Sequence, residues 1–379
     1  MKVTTNYYGD VYVWPFLPRY PFREALEWYT DVNEYHVGID STTRYRNAPR
    51  LSFEMESTIP EDRIADTYIN IYKGITLKWA VPYWPEREKI SISAGATTID
   101  SEYQLEPTSL AILWQSSSRW EVIEVDSDYG ISEVQENYYG AWIIPLRVGK
   151  IVPSPRFSQD TTRGLFSFFF RSDDNYDRDT VELTQYQGYD FYDDDCLLMG
   201  QDGLSDTIVK RVDTMDNVTG IVSTYSPWDC TRRERQYRIL NTSREGYNDF
   251  RNFIYRRAGR YRPFWMPTGY TDLELVSTGV LGSTVSVKLI ETDQCRSHIA
   301  FKANDQWYPF EIESVVDGTN TNLFLTEAVG IDAADVQKIS YLGLHRLSVD
   351  RIEIEHLAGD QTQSSFPILE MKFRDHVIQ

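Results

Sequence analysis

TIPEDRIADTYINIYKG at residues 58–74 and TSREGYNDFRNFIYRRAG at residues 242–259 carry one pattern twice. Each opens with a threonine followed three residues later by a glutamate, Thr58 with Glu61 and Thr242 with Glu245. That is the capping-box spacing, in which hydroxyl and carboxylate each satisfy a backbone N–H at a helix start. Apolar residues then recur with helical period. Ile64, Tyr68, Ile71 and Tyr72 fall on one face, as do Tyr247, Phe250 and Ile254. Gly74 and Gly259 close the two segments and suit left-handed C-terminal caps. Both segments read as helices.

After each helix the chain enters a Pro-aromatic-Trp corner, Val81-Pro82-Tyr83-Trp84-Pro85 in one case and Arg262-Pro263-Phe264-Trp265-Met266-Pro267 in the other. A segment of alternating, β-branched residues follows both. It holds Trp120-Glu121-Val122-Ile123-Glu124-Val125 in the first copy, and Trp307 with Phe310-Glu311-Ile312-Glu313-Ser314-Val315 in the second. Four matched features in one order predict a duplicated chain. The expected fold is mainly β with two helices, an α+β architecture. An internally duplicated strand-helix unit is each time followed by a small β-barrel or sandwich module. The expected division is a strand/helix unit over 1–84, a β-module over 85–152, and a second unit over 153–267. A second module covers 268–346, and strands returning to the core cover 347–379. The acidic, aromatic stretch 173–195 is expected to project as a loop or hairpin, because acidity disfavours burial.

Composition limits the function. Hydrophobic residues make up 41% of the 379 and aromatics 14%, with 26 Tyr and 10 Trp, enough for a sizeable core and for half-buried contact surfaces. A formal charge of −19 opposes stable binding to phosphate backbones and anionic lipid. Arg256, Arg257, Arg260 and Arg262 cluster locally. They read as a solvated helix C-terminus, with an acidic patch on a partner subunit as the alternative. Cys196, Cys230 and Cys295 are too far apart and too few for a disulfide framework or a zinc site, and no segment approaches a membrane span. Synthesis in a reducing cytoplasm is expected.

Nothing in the chain has the spacing of a catalytic centre. His36, His298, His345, His356 and His376 lie in no metal-ligand pattern, and no nucleophile elbow occurs. Gly149-Lys150 resembles the end of a phosphate loop without the upstream glycine. Asp126, Asp128, Gly130 and Glu133 have the beginnings of a calcium loop, but a turn between strands explains them equally well. Asp193, Asp194 and Asp195 read as a solvated run. A carboxylate pair for glycoside hydrolysis has no signal above the general acidity. No catalytic residue, cofactor or metal ligand is assigned.

The remaining motifs carry a resemblance. They are Trp14-Pro15, Pro21, Glu24-Ala25-Leu26-Glu27-Trp28 with Thr30-Asp31-Val32, and Thr43-Arg44 with Arg46 and Pro49-Arg50. The Pro82-Tyr83-Trp84-Pro85 corner, Arg257-Ala258-Gly259-Arg260 with the Pro263–Pro267 corner, and Leu344-His345-Arg346-Leu347-Ser348-Val349-Asp350 complete the set. Together they resemble a family of tail-tip proteins of tailed bacteriophages, across almost the whole chain. Stretch 173–195 has no counterpart there. The resemblance implies a structural, non-enzymatic distal-tail ring protein in the virion. It would self-assemble as a homohexamer, or as a trimer whose duplicated chains present six similar units. Its neighbours would be the tail tube protein, the tail hub and the fibre or receptor-binding proteins. An acidic lumen would let DNA pass without adhering. The alternative is a carbohydrate-binding tail module with Trp120 and Trp307 as sugar platforms. Trp84 and Trp265 read as core anchors in preference to subunit contacts.

Overall fold

Alternation with period two runs through the longest strands. In Arg163–Ser172 the residues Gly164, Phe166, Phe168, Phe170 and Ser172 are buried while those between them face outward. Such strands must lie on a core with one face covered. The computed structural model describes all residues except 1, 35–39, 100–104, 128–129, 153–154, 160–162, 174–179, 193–205, 211, 217, 219, 221, 227–230, 289–295 and 372–379. Among the described residues the chain is mainly β with two α-helices.

The first half begins with a hairpin of β1 (Lys2–Thr5) and β2 (Gly9–Val13), then β3 (Phe22–Glu27). A second hairpin, β4 (Thr30–Glu34) and β5 (Asp40–Arg44), leads to β6 (Arg50–Pro60), α1 (Glu61–Gly74) and β7 (Trp79–Pro82). Next come β8 (Glu88–Ile92), β9 (Ser109–Ser116), β10 (Arg119–Val125) and the long β11 (Tyr138–Ile151). β12 (Arg156–Gln159) and β13 (Arg163–Ser172) follow.

The second half runs from a hairpin of β14 (Gln185–Tyr186) and β15 (Tyr189–Phe191) to β16 (Asp206–Val209). Then come the hairpin β17 (Asp213–Asp216) and β18 (Val222–Tyr225), β19 (Arg232–Asn241), α2 (Arg244–Arg257) and β20 (Phe264–Pro267). β21 (Thr284–Val287), β22 (His298–Ala303), β23 (Gln306–Asp317) and β24 (Thr321–Leu325) precede the long β25 (Val336–Leu347). β26 (Arg351–His356) and β27 (Thr362–Met371) end the described chain.

Outside the segments between β7 and β11 and between β20 and β25, the pairings of the two halves run in step. β13 pairs β6 and β27 pairs β19, while β11 pairs β7 and β13, and β25 pairs β20 and β27. β12 lies beside β13 as β26 lies beside β27, and β3 precedes and pairs β6 as β16 precedes and pairs β19. The parallel pairs also correspond, β2 with β7 and β15 with β20. Hairpins β4–β5 and β17–β18 are each a separate two-stranded sheet. The halves join where β3 pairs antiparallel with β26.

One core serves both halves. Trp14, Trp28, Phe53, Trp79, Phe166, Phe168, Phe170, Phe250, Phe253, Ile254, Phe264 and Phe366 belong to a single buried cluster beneath the two helices. Trp14 meets Phe166 and Phe168 at 5.0 Å, tilted against the first ring and edge-on to the second, the latter a geometry that aromatic quadrupoles favour. Separate clusters fill the segments between β7 and β11 (Ile99, Leu113, Ile123, Tyr138) and between β20 and β25 (Leu273, Phe301, Leu323, Ile339). Where β11 crosses β13, a Cβ on Gly149 would stand 2.1 Å from the Arg171 carbonyl oxygen, so only glycine fits. That contact, and no phosphate, accounts for Gly149.

The helix ends depart from the sequence reading. Thr58 is consumed by β6, where it pairs with Leu165, and Pro60 occupies the α1 N-cap with no side-chain cap. For α2 the cap is Ser243, whose hydroxyl accepts from Gly246 N–H at 3.2 Å, so neither capping box forms. Gly74 is the last residue of α1 and the following cap, Ile75, is right-handed. Its Cβ would meet the Tyr12 ring at 3.0 Å, so packing, not φ, selects it. At α2, Ala258 (φ 50°) and Gly259 (φ 69°) make the left-handed exit. The helical faces also separate. Ile64 and Ile71 are buried, whereas Tyr68 and Tyr72 are exposed.

Candidate functional site

Where the halves meet, β3 presents Phe22, Glu24 and Leu26 to the interior, a run of alternation in which one member is a carboxylate. Glu24 is completely buried. It accepts hydrogen bonds from Tyr83 Oη at 2.7 Å, Tyr247 Oη at 3.0 Å and His356 Nε2 at 2.8 Å. Each partner comes from a different element. Tyr83 follows β7, His356 ends β26, and Tyr247 stands on the first turn of α2. The His356 ring stacks on Phe22 at 4.4 Å, which fixes its direction.

Successive turns of α2 extend the cluster. Tyr247, Arg251 and Tyr255 recur every four residues and share one helix face. Arg251 donates to Glu86 at 2.5 Å, and its guanidinium lies 4.7 Å from the Tyr83 ring centroid and 5.4 Å from that of Tyr255. Arg147 from β11 reaches the same Glu86 at 3.4 Å. Two carboxylates thus face two guanidiniums in a closed space, which is how buried charge survives desolvation. Burial alone would raise the Glu24 carboxyl. The His356 hydrogen bond, the Arg251 and His356 charges and the Tyr83 hydrogen bond outweigh it and hold the group at about 2. Burial drives Tyr83 and Tyr247 well above the usual phenol value.

This constellation has the residue types of acid–base chemistry, all of them buried. The cavity beside His356, Tyr247 and Arg87 is about 20 Å³, enough for one water. A second cavity of about 70 Å³ lies against Arg23, Glu54, Phe169 and Arg351.

Two further ion clusters brace α2. Asp190 of β15 receives Arg256 through Nε at 2.8 Å and Nη2 at 2.7 Å, and also receives Arg257. Asp350 accepts from the Thr30 and Arg260 amides at 2.9 and 3.0 Å, from Arg260 Nη2 at 3.2 Å and from the Thr30 hydroxyl. These bonds hold its carboxyl below the ordinary value against the opposing effect of burial. Gly259 makes the approach possible. A Cβ there would lie 2.9 Å from Trp28 Cβ.

These placements correct two expectations. Arg256 and Arg257 are not a solvated helix end; both are buried and paired within the chain, while Arg262 is exposed. The described part of 173–195 does contain a hairpin, β14–β15, but the hairpin docks instead of projecting, because β15 pairs β20 and buries Asp190. Asp193, Asp194, Asp195, the three cysteines, His36, His376 and Asp128 lie outside the described residues.

The other singled-out residues disperse. Trp84 is buried and packs edge-on to Trp114 at 5.4 Å, and Trp265 is buried with His298 at 4.7 Å. Trp307 is nearly buried, with Lys338 and Lys302 Nζ 5.1 and 5.7 Å from its ring centroid. Trp120 is half-buried against the cluster of Val11 and Ile112. Asp126 accepts from Tyr7 at 2.7 Å, and Gly130 N–H donates to Ser127 Oγ at 3.0 Å, closing a turn. Among the described residues no group of three or more His, Cys, Asp or Glu could hold a metal ion.

Sequence reading missed the Glu24 cluster. Its one signal was the acidic residue at an inward position of Phe22-Arg23-Glu24-Ala25-Leu26-Glu27-Trp28. No family model matches the chain, and no curated protein matches it.

Proposed function

We propose that the chain is a structural, non-enzymatic ring subunit of a tailed-bacteriophage tail tip, built from two copies of one strand-helix unit, each carrying a small β-module. The observation that carries this reading is the agreement in pairing between the two strand-helix units, including both parallel pairs and both separate hairpins; the modules differ, since β8 pairs β11 whereas β21 pairs β24. Registers support it as well. The Met55–Phe168 pair corresponds to Tyr237–Phe366, with all four side chains buried. The buried residues Ile64, Thr67, Ile71 and Gly74 of α1 correspond to Tyr247, Phe250, Ile254 and Arg257 of α2. A second unit that copies the first adds contact surface of one kind, as a ring requires.

The tail-tip assignment draws on the motifs at Trp14-Pro15, Glu24–Val32, Pro82–Pro85, Arg257–Pro267 and Leu344–Asp350. Those residues supply Trp14, Trp28, Tyr83, Arg257, Gly259 and Asp350, the joints of the interior. Two units per chain favour three copies over six, since three chains then match a sixfold tail tube. Its neighbours are the tube, the hub and the receptor-binding proteins, and DNA passes through the ring without stable binding. The sugar-platform reading is weaker, because lysines already flank the Trp307 ring. Electron microscopy of host-grown virions with labelled antibody tests the assignment. Label at the distal tail end is expected, and label absent from particles would refute it.

A further inference from the structure

Within the chain, specific surfaces of the first half grip specific surfaces of the second. β3 pairs with β26, placing Ala25 opposite Glu353. Trp28, just beyond β3, meets Tyr255 of α2 edge-on at 5.8 Å. The β4–β5 hairpin reaches the end of α2. Thr42 Oγ1 donates to the Tyr261 carbonyl at 3.2 Å, and Arg44 lies 5.4 Å from the Tyr261 ring centroid.

Each of these four surfaces has a counterpart that no described residue covers in the same way. β3 corresponds to β16 and hairpin β4–β5 to hairpin β17–β18; β26 corresponds to β12 and α2 to α1. Among the described residues β16 pairs only with β19 and β12 only with β13, so each leaves one strand edge open. Hairpin β17–β18 is exposed along both strands and carries Met215 at 66% and Val222 at 56% exposure. Tyr255 of α2 is 6% exposed, whereas its counterpart Tyr72 on α1 is 79% exposed, with Tyr68 and Ile69 beside it. Phe157 of β12 meets Tyr68 at 5.9 Å, which joins the open edge and the bare helix face into one surface.

We propose that the β16 edge and the β17–β18 hairpin of one copy dock on the β12 edge and the exposed α1 face of a second copy. The contact between chains would repeat the one that joins the halves within a chain. The inference rests on the two-unit reading above. By correspondence with Ala25 and Glu353, Thr207 of one copy stands opposite Arg156 of the next in an antiparallel pair. The two surfaces are different patches of the molecule, so the association is head-to-tail and ends only when a ring closes. Closure also removes two open strand edges and an exposed Tyr/Ile/Met/Val patch, both of which are aggregation hazards in a free chain.

The test is a chain carrying both Arg156→Cys and Thr207→Cys, oxidised with copper phenanthroline and compared on non-reducing gels with each single variant and the wild type. Native mass spectrometry is recorded in parallel. Only the double variant is expected to give a covalent ladder that stops at three chains. If native mass shows an assembly but no such ladder forms, this contact is wrong while the ring reading stands. If every sample is monomeric at high concentration, both fall. A fold-neutral check is Tyr72→Glu with Met215→Glu, both exposed in the single chain. The melting temperature of the isolated chain is expected to hold while self-association weakens at least about tenfold. Unchanged association would overturn the proposal.

Discussion

Replacing Glu24 by Gln removes one charge from the completely buried cluster where β3 meets β26. The folded protein holds this carboxyl at about 2, against an ordinary value of 4.5. A depressed carboxyl contributes stability that is present above its ordinary value and is lost as pH falls towards the folded one. The difference corresponds to about 3 kcal/mol. At neutral pH the variant also takes the carboxylate from His356 and leaves Arg251 with Glu86 as its hydrogen-bonded carboxylate, a loss of about 3–5 kcal/mol by analogy with broken buried pairs. The informative quantity is the pH dependence of the difference between the two proteins. Urea unfolding followed by circular dichroism at pH values from 7 to 2.5 cancels the other carboxylates, which both proteins share. The gap between wild type and Glu24→Gln is expected to be constant down to about pH 5 and to close by about 3 kcal/mol towards pH 2. A gap that stays constant to pH 2.5 would show that Glu24 is not held ionised by its neighbours.

Other outcomes follow from the same physics. His345 is buried and lowered to about 4 from 6.5, chiefly by burial, with Arg296 adding to the effect. The folded state therefore favours the neutral ring, and about 3 kcal/mol of stability is lost as pH falls from about 6.5 to about 4. His345→Gln is expected to flatten that part of the urea profile. Trp265→Ala should cost about 3–5 kcal/mol, read as a lower urea midpoint, by opening a void beside His298 and Tyr186. Asp190→Asn leaves Arg256 and Arg257 without their carboxylate and should cost about 3–5 kcal/mol, with Asp190→Glu restoring part of it.

Features set by local period were legible in the sequence. The two helices and the strands holding Trp120–Val125 and Phe310–Val315 occur where alternation and helical spacing put them. Helix starts were misread because a capping box is a local pattern. Thr58 had a stronger claim on it from the β6–β13 ladder, and Ser243 lay one residue nearer the α2 start. Tyr68 and Tyr72 sit on the same wheel sector as Ile64 and Ile71, but the sheet covers only part of that arc. The Arg256–Arg257 pair looked solvated because Asp190, which neutralises it, is 66 residues away in sequence from Arg256. The Glu24 cluster was invisible for the same reason, since its His356 partner lies 332 residues away. Spacing along a chain reports which residues share a strand or a turn, not which remote charges fold together.

The central claim is that two copies of one unit in a single chain exist to build a ring from copies of that chain. Cryo-electron microscopy of the purified protein decides it. The expected particle is a closed ring with six similar densities contributed by three chains. Single, unassociated particles at every concentration, with the two halves unlike in shape, would contradict it.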